Sequence, residues 1–305
     1  METDLEYYRR RAAEEQSRAD GAKQAAVRHI HERMRDAYLE VVVLAGSAVK
    51  MHPSAENEPL THNPLVARLR LMTALGDAEL LALDSLLKDR RELPGGVDIG
   101  CAGDKTEQLH VLLDGWACRY KILRDGKRQI TALLLPGDPC DLDGILVGRQ
   151  DSSVVSLTPV CVAVVQRDAL LAIGRKYPRL ADMLLWLTTL DNATMSERLT
   201  SLGRRSARER VAHLFCETLI RLAAAGLQTG NSCTLPLTQE VIGDVLGLTA
   251  VHVNRVLQEL RAAGLIELRE KRLTVKDWPA LKEAADFDPH YLHLSGMRDR
   301  LPEPA

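Results

Sequence analysis

Residues 238–257, TQEVIGDVLGLTAVHVNRVL, contain the most specific structural pattern in the chain. Thr238 and Thr249 each precede a short run of residues in which apolar side chains recur at helical spacing, and threonine is a preferred N-cap residue. Gly247 stands between the two runs, where the end of a helix favours a glycine in the left-handed conformation. Two short helices joined by a glycine-containing turn are typical of a helix-turn-helix, although a helical hairpin that only packs has the same pattern.

The next segment makes the helix-turn-helix interpretation more specific. Residues 264–275, GLIELREKRLTV, predict two short strands around a charged tip. A helix-turn-helix followed at once by a β-hairpin is a winged helix. We therefore expect Arg269, Lys271 and Arg272 of this wing to contact phosphates of a nucleic acid.

Length and charge allow a protein with one nucleic-acid-binding part. The chain has 305 residues, 46% of them hydrophobic and 27% charged, which is enough for two folded domains and argues against general disorder. The net charge of −2 excludes a polycation, but residues 198–282 contain 13 Lys/Arg and 8 Asp/Glu. A basic C-terminal module on a near-neutral body suits a regulator that touches nucleic acid with that module only.

The sequence predicts a cytoplasmic protein without a membrane span. The longest apolar run, residues 39–49, is shorter than the roughly 20 residues that a transmembrane helix needs. The N-terminus lacks the basic start and apolar run of a signal peptide. Six cysteines are spread along the chain with no C-x-x-C pair, so we expect buried thiols rather than disulfides or a zinc site.

Changes in composition and in hydrophobic periodicity along the chain predict six segments. Residues 1–50 are a charged helical extension, with a second helix over 25–43, that docks on the body or on a partner. Residues 51–64 are a proline-rich linker. Residues 65–176 begin with helices broken at Gly76 and continue with strand-like runs separated by turn signals about every ten residues, which indicates a β-barrel or sandwich. The strands are expected at 109–113, 117–122, 130–135, 154–157 and 160–165, and Asp125-Gly126 is a strong hairpin signal.

Residues 177–203 predict one long helix that starts at Pro178. Its apolar side chains recur in three- and four-residue steps close to a heptad pattern. We expect this stripe to be exposed and to form the interface of a homodimer, and the other interpretation is a helix packed within its own subunit. The interface residues are Leu180, Leu184, Leu187, Leu190, Met195 and Leu199. Residues 204–285 are the winged helix-turn-helix domain, and residues 286–305 are a C-terminal tail.

This order of elements resembles the Crp/Fnr superfamily of bacterial transcription regulators over residues 65–284. The most specific motifs are Pro136-Gly137-Asp138 and residues 238–257. The resemblance implies an α+β fold: an N-terminal helical extension, a cupin-like β-roll with a long dimerisation helix, and a C-terminal winged helix-turn-helix. It implies a homodimeric regulator that binds two-fold double-stranded DNA, with RNA polymerase as a further partner.

The sensor part departs from the cyclic-nucleotide-binding members of the superfamily. Their cassette carries a glutamate for the ribose and an arginine for the cyclic phosphate, and these positions fall on Leu142 and Ser152. Leucine has no acceptor, and serine lacks the charge and the fork of donors of a guanidinium. Arg149 lies three residues out of register. We therefore expect no cyclic AMP binding in the manner of the family.

The Fnr branch senses oxygen through an iron–sulfur cluster held by closely spaced cysteines. Here Cys101, Cys118, Cys140 and Cys161 are far apart in sequence, so inert packing is favoured over a cluster or a single redox-responsive thiol. Haem bound through His110 is a weaker hypothesis. The sequence names no cofactor and no metal site.

The resemblance also assigns the DNA-contacting residues. Arg255 stands where the family has an arginine that binds the O6 and N7 edge of guanine, and Asn254 and His252 share its face of the helix. Ala250 and Val251 replace the arginine and glutamate that usually begin this helix, and their apolar surfaces suit thymine methyl groups. Phosphate contacts are expected from Thr238, Gln239 and Thr249.

Two other functions compete with a DNA-binding regulator. One is a protein-interaction module that keeps the fold without sequence-specific DNA binding and uses the N-terminal helices. The other is an enzyme, which is disfavoured because no nucleophile–base pair, metal-spaced cluster or phosphate-binding glycine loop is visible. The effector, the operator, the sign of regulation and the role of residues 1–60 stay open.

Overall fold

The computed structural model describes residues 4–22, eight residues between 25 and 39, and residues 63–72, 74–228 and 230–294. Helix α1 spans Asp4–Gly21. The eight described residues between 25 and 39 are helical. The other positions of the expected helix at 25–43, and the expected linker up to residue 62, lie outside the described residues.

Helix α1 docks on the sensor body through a buried ion pair. Arg11 Nη2 donates to Asp98 Oδ2 at 3.2 Å, and both side chains are almost fully buried. Tyr120 Oη donates to the other carboxylate oxygen of Asp98 at 3.0 Å. A buried carboxylate is stabilised by such partners, so this ion pair ties helix α1 to the β-strands of the domain.

The sensor domain is a β-roll of two sheets preceded by two helices. The helices are α2 (Pro64–Met72) and α3 (Asp77–Leu86), and they confirm the predicted break at Gly76. One sheet has the strand order β1-β7-β3 and the other β2-β6-β4-β5. The strands are β1 (Arg90–Leu93), β2 (Asp98–Gly100), β3 (Gln108–Asp114), β4 (Ala117–Ile122), β5 (Arg128–Leu134), β6 (Ser153–Ser156) and β7 (Val160–Gln166).

The hairpin that Asp125-Gly126 predicts joins β4 to β5. Gly126 adopts φ 82°, a left-handed conformation that glycine takes without strain. Lys127 N donates to Asp125 Oδ1 at 3.1 Å, and Leu123 N donates to the Lys127 carbonyl at 2.9 Å. In this domain the sequence missed β1 and β2, which are short and pair with β7 and β6 from the other end of the domain.

Three helices complete the sensor: α4 (Leu142–Val147), α5 (Arg167–Lys176) and the long α6 (Pro178–Arg204). The expectation of one exposed stripe on α6 is wrong, because Leu180, Leu187 and Leu190 are buried in the core of their own chain. Met195 and Leu199 are exposed, at 45% and 72%.

The predicted stripe on α6 mixed two helix faces. Positions 180, 183, 187 and 190 follow one heptad and pack inward, with Leu184 half-buried beside them. Positions 185, 192 and 199 follow another heptad, and Leu185 is 65% exposed. The outward apolar face is therefore Leu185, Met195 and Leu199.

The C-terminal domain contains helices α7 (Ala207–Ala224), α8 (Gln239–Leu246), α9 (Ala250–Ala262) and α10 (Trp278–Ala285). Its three-stranded sheet has the order β8-β10-β9, with β8 (Ser232–Thr234), β9 (Ile266–Arg269) and β10 (Arg272–Val275). Residues 286–294, which we expected to belong to a tail, fold back instead. Phe287 and Leu292 are buried, at 6% and 1% exposure.

Candidate nucleic-acid interface and its connection to the sensor domain

The two helices of the predicted motif begin at the two threonines. Thr238 Oγ1 accepts from Val241 N, and Thr249 Oγ1 accepts from His252 N, each at 3.2 Å. Gly247 ends α8 with φ 63° in the left-handed conformation. In each cap the oxygen of the hydroxyl is occupied and its hydrogen stays available to a phosphate.

Gly243 allows the two helices to approach closely. A Cβ atom at this position would lie 2.5 Å from the carbonyl oxygen of Leu248, in the turn between α8 and α9. Backbone cannot yield as a flexible side chain does, so only glycine fits here. The sequence contained this glycine, but a contact across the turn is not visible in a local pattern.

Helix α9 presents one exposed face, and the buried face opposite packs in the core. Val253, Val256 and Leu257 are fully or nearly fully buried. Val251 is 81% exposed, and the side chain of Arg255 is 68% exposed. The structure thus places the predicted base-reading residues together, with Ala250, His252 and Asn254 half-buried along the same helix.

Neighbouring side chains hold two of these residues. Arg255 Nη2 lies 2.9 Å from His252 Nε2, and its Nε lies 3.8 Å from Glu259 Oε1. Gln239 Nε2, from the start of α8, donates to Asn254 Oδ1 on α9 at 3.3 Å. Glu259 and the link between Gln239 and Asn254 were missed at the sequence level, although the four-residue step from Arg255 to Glu259 was a usable signal.

The wing forms as expected and carries its cations outward. Glu270 and Lys271 connect β9 to β10 with φ values of 48° and 60°, a two-residue turn whose twist matches that of the strands. Arg269, Lys271 and Arg272 are all exposed. Arg269 Nε lies 2.9 Å from Glu267 Oε1, so part of its charge is neutralised locally.

Helix α8 rests directly on strand β5 of the sensor. Arg128 Nε donates to Asp244 Oδ2 at 2.8 Å. Gln129 Nε2 donates to the carbonyl oxygens of Asp244 at 2.8 Å and Val245 at 3.3 Å. The last carbonyls of a helix have no partner within it, so the sensor satisfies the end of the first helix of the motif. The two domains therefore contact each other at α8, the helix that precedes α9.

A buried charge network joins the same two domains near the C-terminal end of β5. Asp138, in the predicted Pro-Gly-Asp turn, accepts hydrogen bonds from Arg68 of α2, from Arg221 Nη2 of α7 at 2.7 Å and from Leu135 N at 2.7 Å. Burial alone would raise the pKa of Asp138, but Arg68 and Arg221 outweigh it and hold that pKa below its usual range. The carboxylate is ionised inside the protein.

Glu217 of α7 continues the network to the C-terminal segment. Its Oε1 accepts from Arg198 at 2.8 Å and from Arg221 at 3.2 Å, and its Oε2 accepts from Tyr291 Oη at 3.0 Å. Burial would raise the pKa of Glu217, but Arg198 and Arg221 lower it overall. The segment after the winged helix is therefore fixed to the junction of α6 and α7.

The predicted nucleotide-cassette positions carry no ligand-binding charge. Leu142 is buried at the start of α4, and Ser152 Oγ donates to its neighbour Asp151 at 3.1 Å. Arg149, which lies out of register, donates through Nη1 to the Gly103 carbonyl at 2.8 Å. A cavity lies between β5, α4, α6 and α7, and the centres of water molecules can occupy about 60 Å³ of it.

Several of the charged side chains that line this cavity form ion pairs with each other. Arg119 donates to both carboxylate oxygens of Asp191, at 2.7 and 3.0 Å. This bidentate pair links β4 to α6. The cavity walls also include Arg68, Asp138 and Arg221 of the buried network.

The cysteines are poorly suited to redox or metal chemistry. Burial raises the pKa of Cys118, Cys216 and Cys233 to about 12, and it also raises the pKa of Cys101, Cys140 and Cys161. A protonated thiol is a weak nucleophile and a poor ligand. Within the described part of the chain, no group of three or more His, Cys, Asp or Glu is arranged to hold a metal ion.

His110 is held by a carboxylate. Its Nδ1 lies 2.7 Å from Asp141 Oδ2, and its backbone N–H donates to Asp141 Oδ1 at 2.8 Å. Asp141 also accepts from Gln150 Nε2 at 3.1 Å. His110 is thus half-buried and forms part of a polar cluster with the buried Asp141 and Gln150.

Over the residues that the structure describes, none of the helices is long and apolar enough to span a bilayer.

Two segments of the chain match known protein domains. Residues 209–284 match the Crp-like helix-turn-helix domain, and residues 90–177 match the cyclic nucleotide-binding domain.

Two relatives and one solved structure are similar to between 64% and 75% of the chain. The transcriptional activator protein FnrL of Cereibacter sphaeroides is 31% identical over 234 residues, which are 75% of this chain and 91% of FnrL. The fumarate and nitrate reduction regulatory protein of Escherichia coli K12 is 26% identical over 220 residues, 72% of this chain and 88% of that protein. The structure of FixK2 from Bradyrhizobium japonicum superposes with a TM-score of 0.56 at 25% identity, covering 64% of this chain and 96% of FixK2.

Proposed function

Because the chain belongs to the Crp/Fnr family of DNA-binding transcription regulators, we propose that it binds a two-fold DNA operator as a homodimer. The observation that carries this proposal is the exposed face of α9. A helix with a buried apolar side and an outward side that holds Val251, Asn254 and Arg255 fits the major groove of B-DNA.

Arg255 is the main base-reading residue in this proposal. Its exposed guanidinium offers the fork of donors that matches O6 and N7 of guanine. His252 and Glu259 on either side restrict its rotamers, so less conformational entropy is lost on binding. Asn254 suits adenine, and Ala250 and Val251 suit thymine methyl groups.

Phosphate contacts position the helix in the groove. The hydroxyls of Thr238 and Thr249 each accept from their own helix and can still donate to a phosphate. Arg269, Lys271 and Arg272 extend the positive surface along the wing. Such contacts set register and affinity without reading sequence, and they make binding depend on salt.

The dimer forms through the outward face of α6. Leu185, Met195 and Leu199 are exposed apolar residues of a 27-residue helix. Two copies of this face bury the apolar surface against each other, and the resulting two-fold axis matches a two-fold operator. The buried Leu180, Leu187 and Leu190 fix the helix to its own β-roll.

The sensor does not bind cyclic AMP in the manner of the family. No carboxylate stands at Leu142, no guanidinium stands at Ser152, and Arg149 is engaged with a backbone carbonyl. Calorimetry with cyclic AMP should show no micromolar binding. Micromolar binding that Arg149→Ala abolishes would contradict this part of the proposal.

The setting follows from the DNA-binding role: the protein acts in the cytoplasm, and RNA polymerase is the protein partner of a regulator bound beside a promoter. A measurement of sequence-specific DNA binding distinguishes this proposal from the alternative, a protein-interaction module that keeps the fold but does not bind DNA specifically. The module would leave the exposed face of α9 without a ligand.

A mobility-shift comparison of two arginine variants tests the proposal. Arg255→Ala should lower discrimination for guanine by about 1–3 kcal/mol, roughly 5- to 150-fold. Arg261→Ala is the matched control, because it removes the same charge from the last turn of α9. Equal behaviour of both variants on all duplexes would overturn the assignment of Arg255.

A further inference from the structure

The hydrogen bond between Gln239 and Asn254 crosses from one helix of the motif to the other. Gln239 is the first residue of α8, and Asn254 lies on the exposed side of α9. Gln239 Nε2 donates to Asn254 Oδ1 at 3.3 Å. Gln239 itself is exposed, so this bond is not needed to satisfy a buried group.

The backbone positions that carry these two side chains are fixed. Thr238 and Thr249 cap the two helices, and Gly243 allows α8 to approach the turn more closely than any residue with a Cβ could. Ile242 and Val253 are buried between the helices. With both backbones held in place, a hydrogen bond between the two side chains restricts the orientation of the Asn254 amide.

An amide side chain has a donor end and an acceptor end, and its orientation decides what it can read. Recognition of adenine requires that asparagine accepts from N6 and donates to N7. A donor from Gln239 holds Oδ1 of Asn254 on its own side and turns Nδ2 away from it. One lone pair of Oδ1 stays open, so both halves of the adenine contact remain available.

We propose that Gln239 is a positioning residue that sets the amide orientation of Asn254 and thereby the preference of the protein for adenine at that base pair. The inference rests on the proposed function, because it needs Asn254 to face the bases. It differs from the role that the sequence predicted for Gln239, a phosphate contact.

The two roles for Gln239 have different consequences for binding. A phosphate contact contributes equally to every DNA sequence, so its loss weakens all duplexes alike and lowers the salt dependence. A positioning residue changes the ratio between bases at one position, whatever happens to overall affinity. Ratios between duplexes therefore separate the two roles.

The test uses the full-length protein, the operator that it selects from random DNA, and four duplexes that differ at one base pair. That base pair is the one at which Asn254→Ala loses its preference. Gln239→Ala should reduce the adenine preference there by roughly threefold to tenfold, the factor that one net hydrogen bond is worth. Gln239→Lys is the matched control, because its ammonium still donates to Oδ1, and it should retain the preference.

Gln239→Glu makes the prediction directional. A carboxylate only accepts, so the Asn254 amide should turn, donate through Nδ2 to it and present Oδ1 to the groove. Adenine N6 and cytosine N4 are both donors, so the distinction between adenine and cytosine should shrink most. The guanine preference at the base pair of Arg255 should be unchanged in every Gln239 variant.

Three outcomes would overturn the inference. The first is an equal loss on all four duplexes with a lower salt slope, which would make Gln239 a phosphate contact. The second is a selected operator on which Asn254→Ala changes no preference. Both leave the proposed function standing, whereas a protein that selects no DNA would contradict the proposed function and this inference together.

Discussion

Replacing Asp138 by alanine should lower the free energy of unfolding by about 3–5 kcal/mol at pH 7. The carboxylate is buried and ionised, and it is the partner of two guanidinium groups. Arg221 would keep Glu217 and the Leu133 carbonyl, at 3.2 and 3.0 Å. The main cost of the substitution is therefore the unpaired charge of Arg68, whose side chain is 8% exposed and would stay in the interior without its partner.

A double variant distinguishes destabilisation by an unpaired buried charge from destabilisation by lost packing. In Asp138→Ala combined with Arg68→Met, neither partner of the pair remains, so the double variant should be at least about 1 kcal/mol more stable than the single one. Urea unfolding followed by circular dichroism measures both. Asp151→Ala is the control, because it removes the same charge from an exposed carboxylate and should leave the midpoint unchanged.

The reasoning would be refuted by a loss of less than about 1 kcal/mol for Asp138→Ala, which is the range of an exposed ion pair. It would also fail if the double variant were as unstable as the sum of both single variants, because the two charges would then not be coupled.

Three further predictions follow from single sites. Gly243→Ala should destabilise the motif by about 1–3 kcal/mol and weaken DNA binding, since its Cβ would meet the Leu248 carbonyl. Gly203→Ala is the control, because a Cβ there, in the last turn of α6, meets open space, and it should stabilise by up to about 1 kcal/mol in thermal unfolding. Because the pKa of Glu217 is lowered in the folded protein, its carboxylate contributes stability above the unfolded pKa of about 4.3, and this stability is lost as pH falls through the folded pKa. Glu217→Gln should therefore flatten the acid side of a plot of stability against pH. An unchanged slope would contradict this. Leu199→Glu should convert the proposed dimer to monomers in sedimentation equilibrium, and a variant that stays dimeric would place the interface elsewhere.

The parts of the fold that sequence reasoning predicted are those encoded by neighbouring residues. The caps at Thr238 and Thr249, the left-handed Gly247 and the Asp125-Gly126 hairpin all depend on interactions within a few positions of the chain. Such signals keep their meaning in any tertiary context, so the winged helix-turn-helix and most strands of the β-roll were located within about two residues.

The parts that sequence reasoning missed depend on contacts between distant positions. Arg68 meets Asp138 across 70 residues, and Arg128 meets Asp244 across 116. No periodicity marks such pairs. The stripe on α6 was misjudged for a related reason, because a run of leucines does not say which face the rest of the chain covers.

The most direct measurement of the central claim is selection of bound duplexes from random DNA by the purified full-length protein. The account predicts a two-fold sequence whose half-sites share a guanine, and loss of that guanine when selection is repeated with Arg255→Ala. Recovery of no enriched sequence, or of the same guanine with Arg255→Ala, would contradict it.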